Sequence, residues 1–446
     1  MRLIDQALTE LLPRMKKNIA IVFLTYGLTL LSGVVTSLLT AWALGPEGRG
    51  DLAVVVLWPN IVAWAFGLGL PQAYRYYLAR RPESLSTHYS NALIFALFAG
   101  LIAFGIAELV VPHLIGQRSP EVMLLVRVYL LNIPLALLFD LMVGLLEGTR
   151  QFRWSAAARG IFYGTQSVTY IVLWLIGELT VRNAAYTMIA AQLACTTLAV
   201  IGVKVALRPH WQLSWGEWRE ALAYGLRYFP GLITSIATLR LDQLLLAALA
   251  PSAVIGLYVV AVRLSEITTV LASSVSDVLL PEVAALESKK ESLQLLTKSM
   301  RQTLYVYVVV LIPLWVAAPY ILRFAYGEEF LAATGTLRLL LVASVLWSLA
   351  AIVNSGLNGL GYPILSTISR LSSAVVTVIA LLYWLPTRGI VGAALASVLG
   401  YSVMLVVALF GLLHKQQISW RDCFYPQRDD FPISKLVTNL WLRFSA

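Results

Sequence analysis

Charged residues are scarce in this chain. Aspartate, glutamate, lysine and arginine make up 13% of its 446 residues, whereas hydrophobic residues make up 59% and the mean hydropathy is +0.78. A soluble globular domain carries about twice that share of charge. The composition excludes an ordinary soluble enzyme and predicts a polytopic membrane protein that is large enough for a complete transporter.

Cysteine and histidine are also rare. Cys195 and Cys423 lie far apart and form no CxxC pair, which excludes a disulfide framework and a thiolate metal site. The four histidines have no metal-ligand spacing. The glycine-rich stretch at 45–51, GPEGRGD, lacks the lysine and the hydroxyl residue of a phosphate-binding loop. We therefore expect no nucleotide and no resident cofactor, with a coupling H⁺ or Na⁺ left open.

Long apolar runs dominate what is present. Twelve segments have the length that a helix needs to cross a bilayer, about 20 residues. The sequence thus predicts an all-α membrane protein with twelve transmembrane helices, joined by loops too short for a soluble domain. The predicted spans are 18–44, 52–78, 89–111, 121–147, 155–177, 183–207, 220–249, 255–280, 301–322, 330–359, 362–385 and 389–413.

The segments outside the spans are short and polar. The first residues place apolar side chains at helical spacing ahead of basic ones, which predicts a helix on the cytoplasmic membrane surface. A signal peptide has the reverse order. The end of the chain, FPISKLVTNLWLRFSA, resembles a second surface helix. The predicted division is a surface helix at 1–17, a six-helix bundle at 18–207, a linker at 208–219, a second six-helix bundle at 220–413 and a cytoplasmic tail at 414–446.

An internal repeat relates the two predicted bundles. LEGTRQFRWSAAAR at 146–159 aligns without gaps on LNGLGYPILSTISR at 357–370, and ALGP at 43–46 corresponds to ALAP at 248–251. Six spans separate the copies, so both halves insert in the same orientation. This predicts a parallel repeat about an axis along the membrane normal. A chance match between apolar helices is the alternative.

Arginines outnumber acids inside the predicted spans. A charge near the bilayer centre costs at least about 2.5–3.5 kcal/mol, so such residues usually face a cavity or pair with one another. The excess of positive charge favours an anionic cargo over a cationic one. The arginines are Arg75, Arg127, Arg159, Arg227, Arg240, Arg263, Arg338 and Arg370, and the acids are Asp140, Asp242, Glu266, Asp277 and, near span ends, Glu108 and Glu147.

The stretch 239–266 holds the strongest candidates. Helical rise places Arg240 and Asp242 about 12–15 Å, and Arg263 about 12 Å, below a predicted turn at 250–255, near the middle of a bilayer. These side chains lie too deep for easy snorkelling. We predict that the two arginines bind substrate, with Asp242 and Glu266 as their ion-pair partners. A structural pair that only joins the two helices is the alternative.

Depth divides the other intramembrane arginines. Arg127 and Arg338 lie in the outer third of their spans, and the remaining ones lie in the cytoplasmic third. A long side chain at either depth can snorkel to the interface, or it can face inward and line a pore or vestibule. The predicted sets are Arg75 and Arg127 for substrate, Arg159, Arg227 and Arg370 for a cytoplasmic vestibule, and Asp140, Asp242, Glu266 and Asp277 for ion pairing and coupling.

Three motifs carry a family resemblance. LGPEGRGD follows the first span, GLGLP at 67–71 lies in the second, and Arg240-Leu-Asp242 precedes Gly256-Leu-Tyr258-Val-Val-Ala261-Val-Arg263. The chain thereby resembles the bacterial polysaccharide-biosynthesis flippases of the multidrug/oligosaccharidyl-lipid/polysaccharide exporter superfamily. The resemblance implies two six-helix bundles around a central cleft in the plasma membrane. It also implies flipping of an undecaprenyl-diphosphate-linked oligosaccharide by a monomer that works beside glycosyltransferases and a polymerase.

Departures from related families narrow the choice of cargo. The related lipid II flippases carry arginines in span 1 and the related drug exporters often carry an acid there, whereas residues 19–44 here have no charge. A drug or small-solute exporter of the same fold is one alternative. A membrane glycosyltransferase or polysaccharide polymerase is another, but such enzymes need a sizeable outer loop, and the longest here runs only from Val111 to Glu121. The sequence does not name the glycan.

The formal charge of +10 is concentrated on one membrane face. Twenty of the 33 lysines and arginines lie in alternate loops and the two chain ends, and five lie in the opposite loops. This is the positive-inside bias, so nucleic acid is not an expected partner and both termini should be cytoplasmic. Reporter fusions should place 250–255 outside and 288–298 inside. An external 288–298 would contradict the count of spans.

Overall fold

The computed structural model describes residues 2–116, 118–286, 288–416 and 419–425, with side chains from residue 27 onward except at scattered positions between 232 and 285. Every regular element in these residues is a helix, which confirms the all-α prediction. The predicted surface helix at the chain end lies outside the described residues. The backbone of 2–17 is helical, but the predicted apolar face of this segment lies outside the described side chains.

Thirteen α-helices account for most of the described chain. They are α1 (Arg2–Phe66), α2 (Leu70–Arg80), α3 (Leu85–Leu114), α4 (Pro120–Leu130), α5 (Asn132–Gly148), α6 (Phe152–Leu175), α7 (Val181–Leu207), α8 (Trp215–Leu249), α9 (Ser252–Ala285), α10 (Lys289–Ile321), α11 (Thr334–Gly359), α12 (Pro363–Gln416) and α13 (Trp420–Phe424). Short 3₁₀ turns at Pro82–Ser84 and Glu328–Ala333 and a π turn at Leu322–Tyr326 join some of them.

Each predicted span falls on a helix, although helices and spans do not match one to one. Gly45 has φ 62° inside α1, and Gly389 has φ 56° inside α12. A left-handed residue ends one helical segment and starts another, so both long helices contain two spans. Spans two and four are each divided between two helices, with breaks at 67–69 and at Leu131. The twelve-helix prediction fits this arrangement.

Membrane-spanning character is measurable in most of these helices. Within the described residues, eight segments are long and apolar enough to cross a bilayer. Two of them, Gly27–Phe66 and Pro363–Gln416, are long enough for two spans each. The predicted spans at 155–177 and 220–249 correspond to α6 and α8, in which more polar residues interrupt the apolar sequence.

The chain forms two compact units. The first comprises Met1–Ile236 and Gln243–Val259, and the second comprises Ala237–Asp242 and Val260–Ala446. The first unit has a core in which α2, α3, α5 and α7 pack together, and the second has a core built from α9 to α13. The predicted bundle limits at 18–207 and 220–413 stay predictions.

The internal repeat is visible in the backbone. Helix α5 ends at Gly148 and α6 begins at Phe152, while α11 ends at Gly359 and α12 begins at Pro363. The offset of 211 that the sequence alignment gives therefore relates both helix ends and both helix starts. The same offset relates Arg150 (φ 62°) to the glycine at 361 (φ 83°).

Both copies of the repeat close with the same hydrogen bonds. The amide of Gln151 donates to the carbonyl of Leu146 over 2.7 Å, and the amide of Tyr362 donates to the carbonyl of Leu357 over 2.8 Å. With a left-handed residue just before each donor, this is the glycine-type helix end that satisfies the last carbonyls of a helix. The sequence match therefore reflects a shared local structure.

Glycines allow two of the helices of the first unit to touch backbone to backbone. A Cβ on Gly256 would overlap the carbonyl oxygen of Pro46, and a Cβ on Gly50 would overlap that of Ser252. The hydroxyl of Ser252 also donates a hydrogen bond to the carboxylate of Asp51. The segments ALGP and ALAP, matched by the repeat, therefore lead into a crossing that only small residues permit.

We expect Gly256→Ala to lower the free energy of unfolding by about 1–3 kcal/mol, because the added methyl group overpacks the crossing. Gly105→Ala is the matched control, since Gly105 lies on α3 with no atom near its Cβ position. There the better helix propensity of alanine should leave stability unchanged or raise it by up to about 1 kcal/mol. Thermal unfolding of the two variants in detergent measures the difference. Equal melting temperatures would show that the crossing tolerates a side chain.

Candidate functional site

Two arginines of the second unit share one carboxylate. The Nη1 atom of Arg240 lies 3.2 Å from Oε1 of Glu266, and the Nη1 atom of Arg263 lies 3.4 Å from Oε2. The side chains of Arg240, Arg263 and Glu266 are 30%, 37% and 33% exposed, respectively. The structure therefore brings these three charges of the predicted 239–266 site together. We call this group the Arg240 cluster.

The connection between α8 and α9 explains this meeting. Helix α8 ends at Leu249 and α9 begins at Ser252, so the predicted turn at 250–255 is wrong in length. Counting helical rise, Arg240 lies about 14 Å before the end of α8 and Arg263 lies about 17 Å into α9. Consecutive helices joined so tightly place such positions at matching depths, still close to the centre of a bilayer.

Glu266 was predicted, together with Asp242, as an ion-pair partner of the two arginines. It lies three residues after Arg263, on the same side of α9, and it also reaches Arg240 on α8. Asp242 remains close, since Tyr401 on α12 interacts electrostatically with Asp242, Glu266 and Arg240. Glu266 forms an ion pair with each of the two arginines.

The contacts of the Arg240 cluster with Glu266 are long. A guanidinium has five N–H donors, and each arginine directs one nitrogen at Glu266. A well-formed charge-assisted hydrogen bond measures about 2.7–2.9 Å, and both contacts are longer. A phosphate group that entered the cluster could accept hydrogen bonds from both guanidiniums.

A second cluster with the same composition lies in the first unit. Oε2 of Glu147 lies 2.7 Å from Nε of Arg75, and Oε1 lies 3.3 Å from Nη2 of Arg159. Both arginines are 37% exposed and the glutamate is 20% exposed. The guanidinium of Arg159 also lies 5.9 Å from the ring centre of Phe139. We call this group the Arg75 cluster.

Close packing of α2 on α5 positions the Arg75 cluster. A Cβ on Gly144 would lie 2.8 Å from the carbonyl oxygen of Pro71, and a Cβ on Gly148 would lie 2.7 Å from that of Tyr74. These glycines, four residues apart, let the two backbones touch. Glu147 lies between them on α5, and Arg75 follows directly after the α2 residues that they contact. The backbone contact therefore fixes the acid beside the arginine.

The remaining predicted residues are dispersed. Arg127 pairs with Glu108 at 3.3 Å, and Arg338 lies 4.3 Å from the ring centre of Trp315, so both arginines of the outer third have local partners. Within the first unit, Asp140 interacts electrostatically with the arginines of the Arg75 cluster. Arg227 and Arg370 are exposed, and the side chain of Asp277 lies outside the described residues.

Sequence reasoning missed Arg118. Its guanidinium donates to the carbonyls of Ala247 and Ala250 and to the hydroxyl of Ser252, each over 2.8 Å. Burial lowers the pKa of Arg118 while the charge of Asp51 raises it, and an arginine stays protonated at such a site. The residue neutralises the carbonyl end of α8. In the sequence, Arg118 is only one of the five basic residues in the loops predicted to lie outside, and nothing else distinguishes it.

Solved structures share this architecture. One is the lipid II flippase MurJ in its inward closed conformation, with a TM-score of 0.75 and 15% identity, covering 91% of this chain and 88% of that one. Another is the inward-facing conformation of a multidrug resistance MATE family transporter of the MOP superfamily, with a TM-score of 0.69 and 18% identity, covering 87% and 95%. At such identities the likeness concerns the fold alone. The protein has the fold of this exporter superfamily.

Sequence comparison identifies the family. The family model described as polysaccharide biosynthesis protein matches residues 40–335, well over half of the chain, and the chain belongs to this family. A curated relative is the probable low-salt glycan biosynthesis flippase Agl15 of Haloferax volcanii, 27% identical over 156 residues. That match covers 34% of this chain and spans about a third, 33%, of the relative. The predicted family is thereby confirmed.

Proposed function

We propose that the protein flips a lipid-linked oligosaccharide, carried on undecaprenyl diphosphate, from the cytoplasmic to the outer leaflet of the bacterial plasma membrane. The observation that carries this proposal is the Arg240 cluster, in which the carboxylate of Glu266 bridges two partly exposed guanidiniums in apolar helices. Membership of the polysaccharide biosynthesis family supports the substrate class.

The chemistry of the cargo fits the cluster. A diphosphate carries two or more negative charges, and the planar fork of a guanidinium matches phosphate oxygens in geometry and charge. Arg240 and Arg263 would each bind phosphate oxygens, and Glu266 would hold them in place between transport events. Asp242, close to the same group, is the acid from which we expect a coupling ion to be exchanged, and the identity of that ion stays a prediction.

A drug or small-solute exporter is the second candidate, because one of the solved structures with this fold is a multidrug resistance transporter. The two neighbouring arginines of the Arg240 cluster argue against this function, since they repel cationic cargo. Nothing in the arginine clusters corresponds to the chemistry of a glycosyltransferase or polymerase. We place those enzymes beside the flippase, as suppliers and consumers of its cargo.

The variant Arg240→Lys tests the proposal directly. Lysine keeps the charge but loses the planar fork, and each charge-assisted hydrogen bond is worth about 1.5–3 kcal/mol. We therefore expect the flipping rate in proteoliposomes to fall about tenfold or more, with normal amounts of protein in the membrane.

Arg338→Lys is the matched control for this experiment. Arg338 is also an intramembrane arginine, but it packs on Trp315 and belongs to neither cluster, so its replacement should leave the rate close to that of the wild type. Wild-type flipping by Arg240→Lys would show that the cluster is only a structural ion pair between α8 and α9.

A further inference from the structure

We propose that the Arg75 cluster is a second diphosphate-binding site, in which the carboxylate of Glu147 occupies the place of the phosphate until cargo replaces it. The inference rests on the proposed function and adds a site in the first unit, together with an internal anion that regulates it. It assigns Glu147 a role in binding. It also joins Arg75, predicted to bind substrate, and Arg159, predicted to line a cytoplasmic vestibule, in one site.

The geometry of the Arg75 cluster is that of a guanidinium pair around an anion. The two oxygens of Glu147 point at two different arginines, 2.7 Å and 3.3 Å away. Carboxylates and phosphates are recognised by arginine through the same pairs of N–H donors. An anion with more oxygens and more charge, such as a diphosphate, can therefore satisfy both arginines better than a single carboxylate.

Accessibility supports an exchangeable anion. The side chain of each arginine is 37% exposed, so the cluster is open on one side to an incoming group. The second guanidinium contact is long, which makes Glu147 a weaker partner for Arg159 than for Arg75. The fold therefore does not seal this carboxylate between its partners.

The repeat shows that the fold does not need an acid at position 147. The equivalent residue in the second copy is Asn358, and the helix end around it has the same hydrogen bonds. The Schellman-type end of α5 would thus form with an uncharged side chain at this position. Because the local fold tolerates asparagine here, the charge of Glu147 serves its arginine neighbours.

The physical consequence is competition. While Glu147 occupies the arginines, only the fraction of molecules in which it has moved away can bind a diphosphate, and the apparent affinity is reduced by that fraction. Occupancy about nine-tenths of the time would weaken binding about tenfold. Removing the charge should therefore tighten binding, which is the opposite of what the loss of a structural partner would do.

Isothermal titration calorimetry of the full-length protein in detergent tests this, with inorganic pyrophosphate and farnesyl diphosphate as the two probes. We expect Glu147→Gln to lower the dissociation constant for both probes about tenfold. Glu147→Asp keeps the charge and should stay near the wild-type value. The matched control is Glu108→Gln, because Glu108 pairs with Arg127 outside both clusters.

Several results would overturn the inference. An unchanged or weakened affinity in Glu147→Gln would show that the residue is a structural partner only. A lower dissociation constant for farnesyl diphosphate but not for pyrophosphate would show that the substitution acts on binding of the lipid tail. Should Glu147→Gln fail to fold, Arg75→Gln must weaken pyrophosphate binding about tenfold or more while Arg338→Gln does not.

The same titrations separate this inference from the proposed function. If Arg240→Lys weakens diphosphate binding and Glu147→Gln has no effect, only the second site is refuted. If the wild type binds neither probe, both proposals fail together.

Discussion

The sharing of one carboxylate by two arginines is the interaction around which this structure is organised. A guanidinium in an apolar helix is costly unless it is paired or reaches water. Among the described residues, two carboxylates each pair with two such arginines: Glu266 in the second unit and Glu147 in the first. Both clusters are partly exposed. Arginines that are paired but still partly exposed suit a transporter, since a site that binds a charged group must also release it.

Backbone contacts through small residues determine where those charges lie. Gly144 and Gly148 bring α5 against α2, and the tight connection after Leu249 brings α9 against α8. In each case a feature with no charge of its own fixes the distance between charged side chains. The positions of the arginine side chains therefore depend on glycines and short loops as much as on their acidic partners.

Features that depend on local patterns were predicted well from the sequence. Hydropathy located every span on a helix, and the repeat at an offset of 211 matched helix ends to the residue, because helix length and helix-end chemistry are encoded nearby in the chain. The stretch around Arg240 and Arg263 was also identified as unusual, because a charge deep in an apolar run is visible without any knowledge of packing.

The shared partner of Arg75 and Arg159 was beyond the sequence, since it depends on contacts between distant helices. Glu147 contacts Arg75, which lies 72 residues away in the chain, and no periodicity in the sequence predicts that α2 and α5 touch. Glu266, which the sequence placed beside Arg263, also forms an ion pair with Arg240 on the preceding helix. The predicted turn at 250–255 was too long for the same reason, because the helical start of α9 at Ser252 is stabilised by packing.

The central claim is that charge on the cargo, and specifically its diphosphate, is what the arginine clusters recognise. The most direct measurement compares flipping by the purified protein in proteoliposomes of one glycan attached to a polyprenyl diphosphate and to an uncharged polyprenyl ether. The account predicts rapid flipping of the diphosphate-linked glycan and little flipping of the neutral one. Equal rates for the two lipids would contradict it.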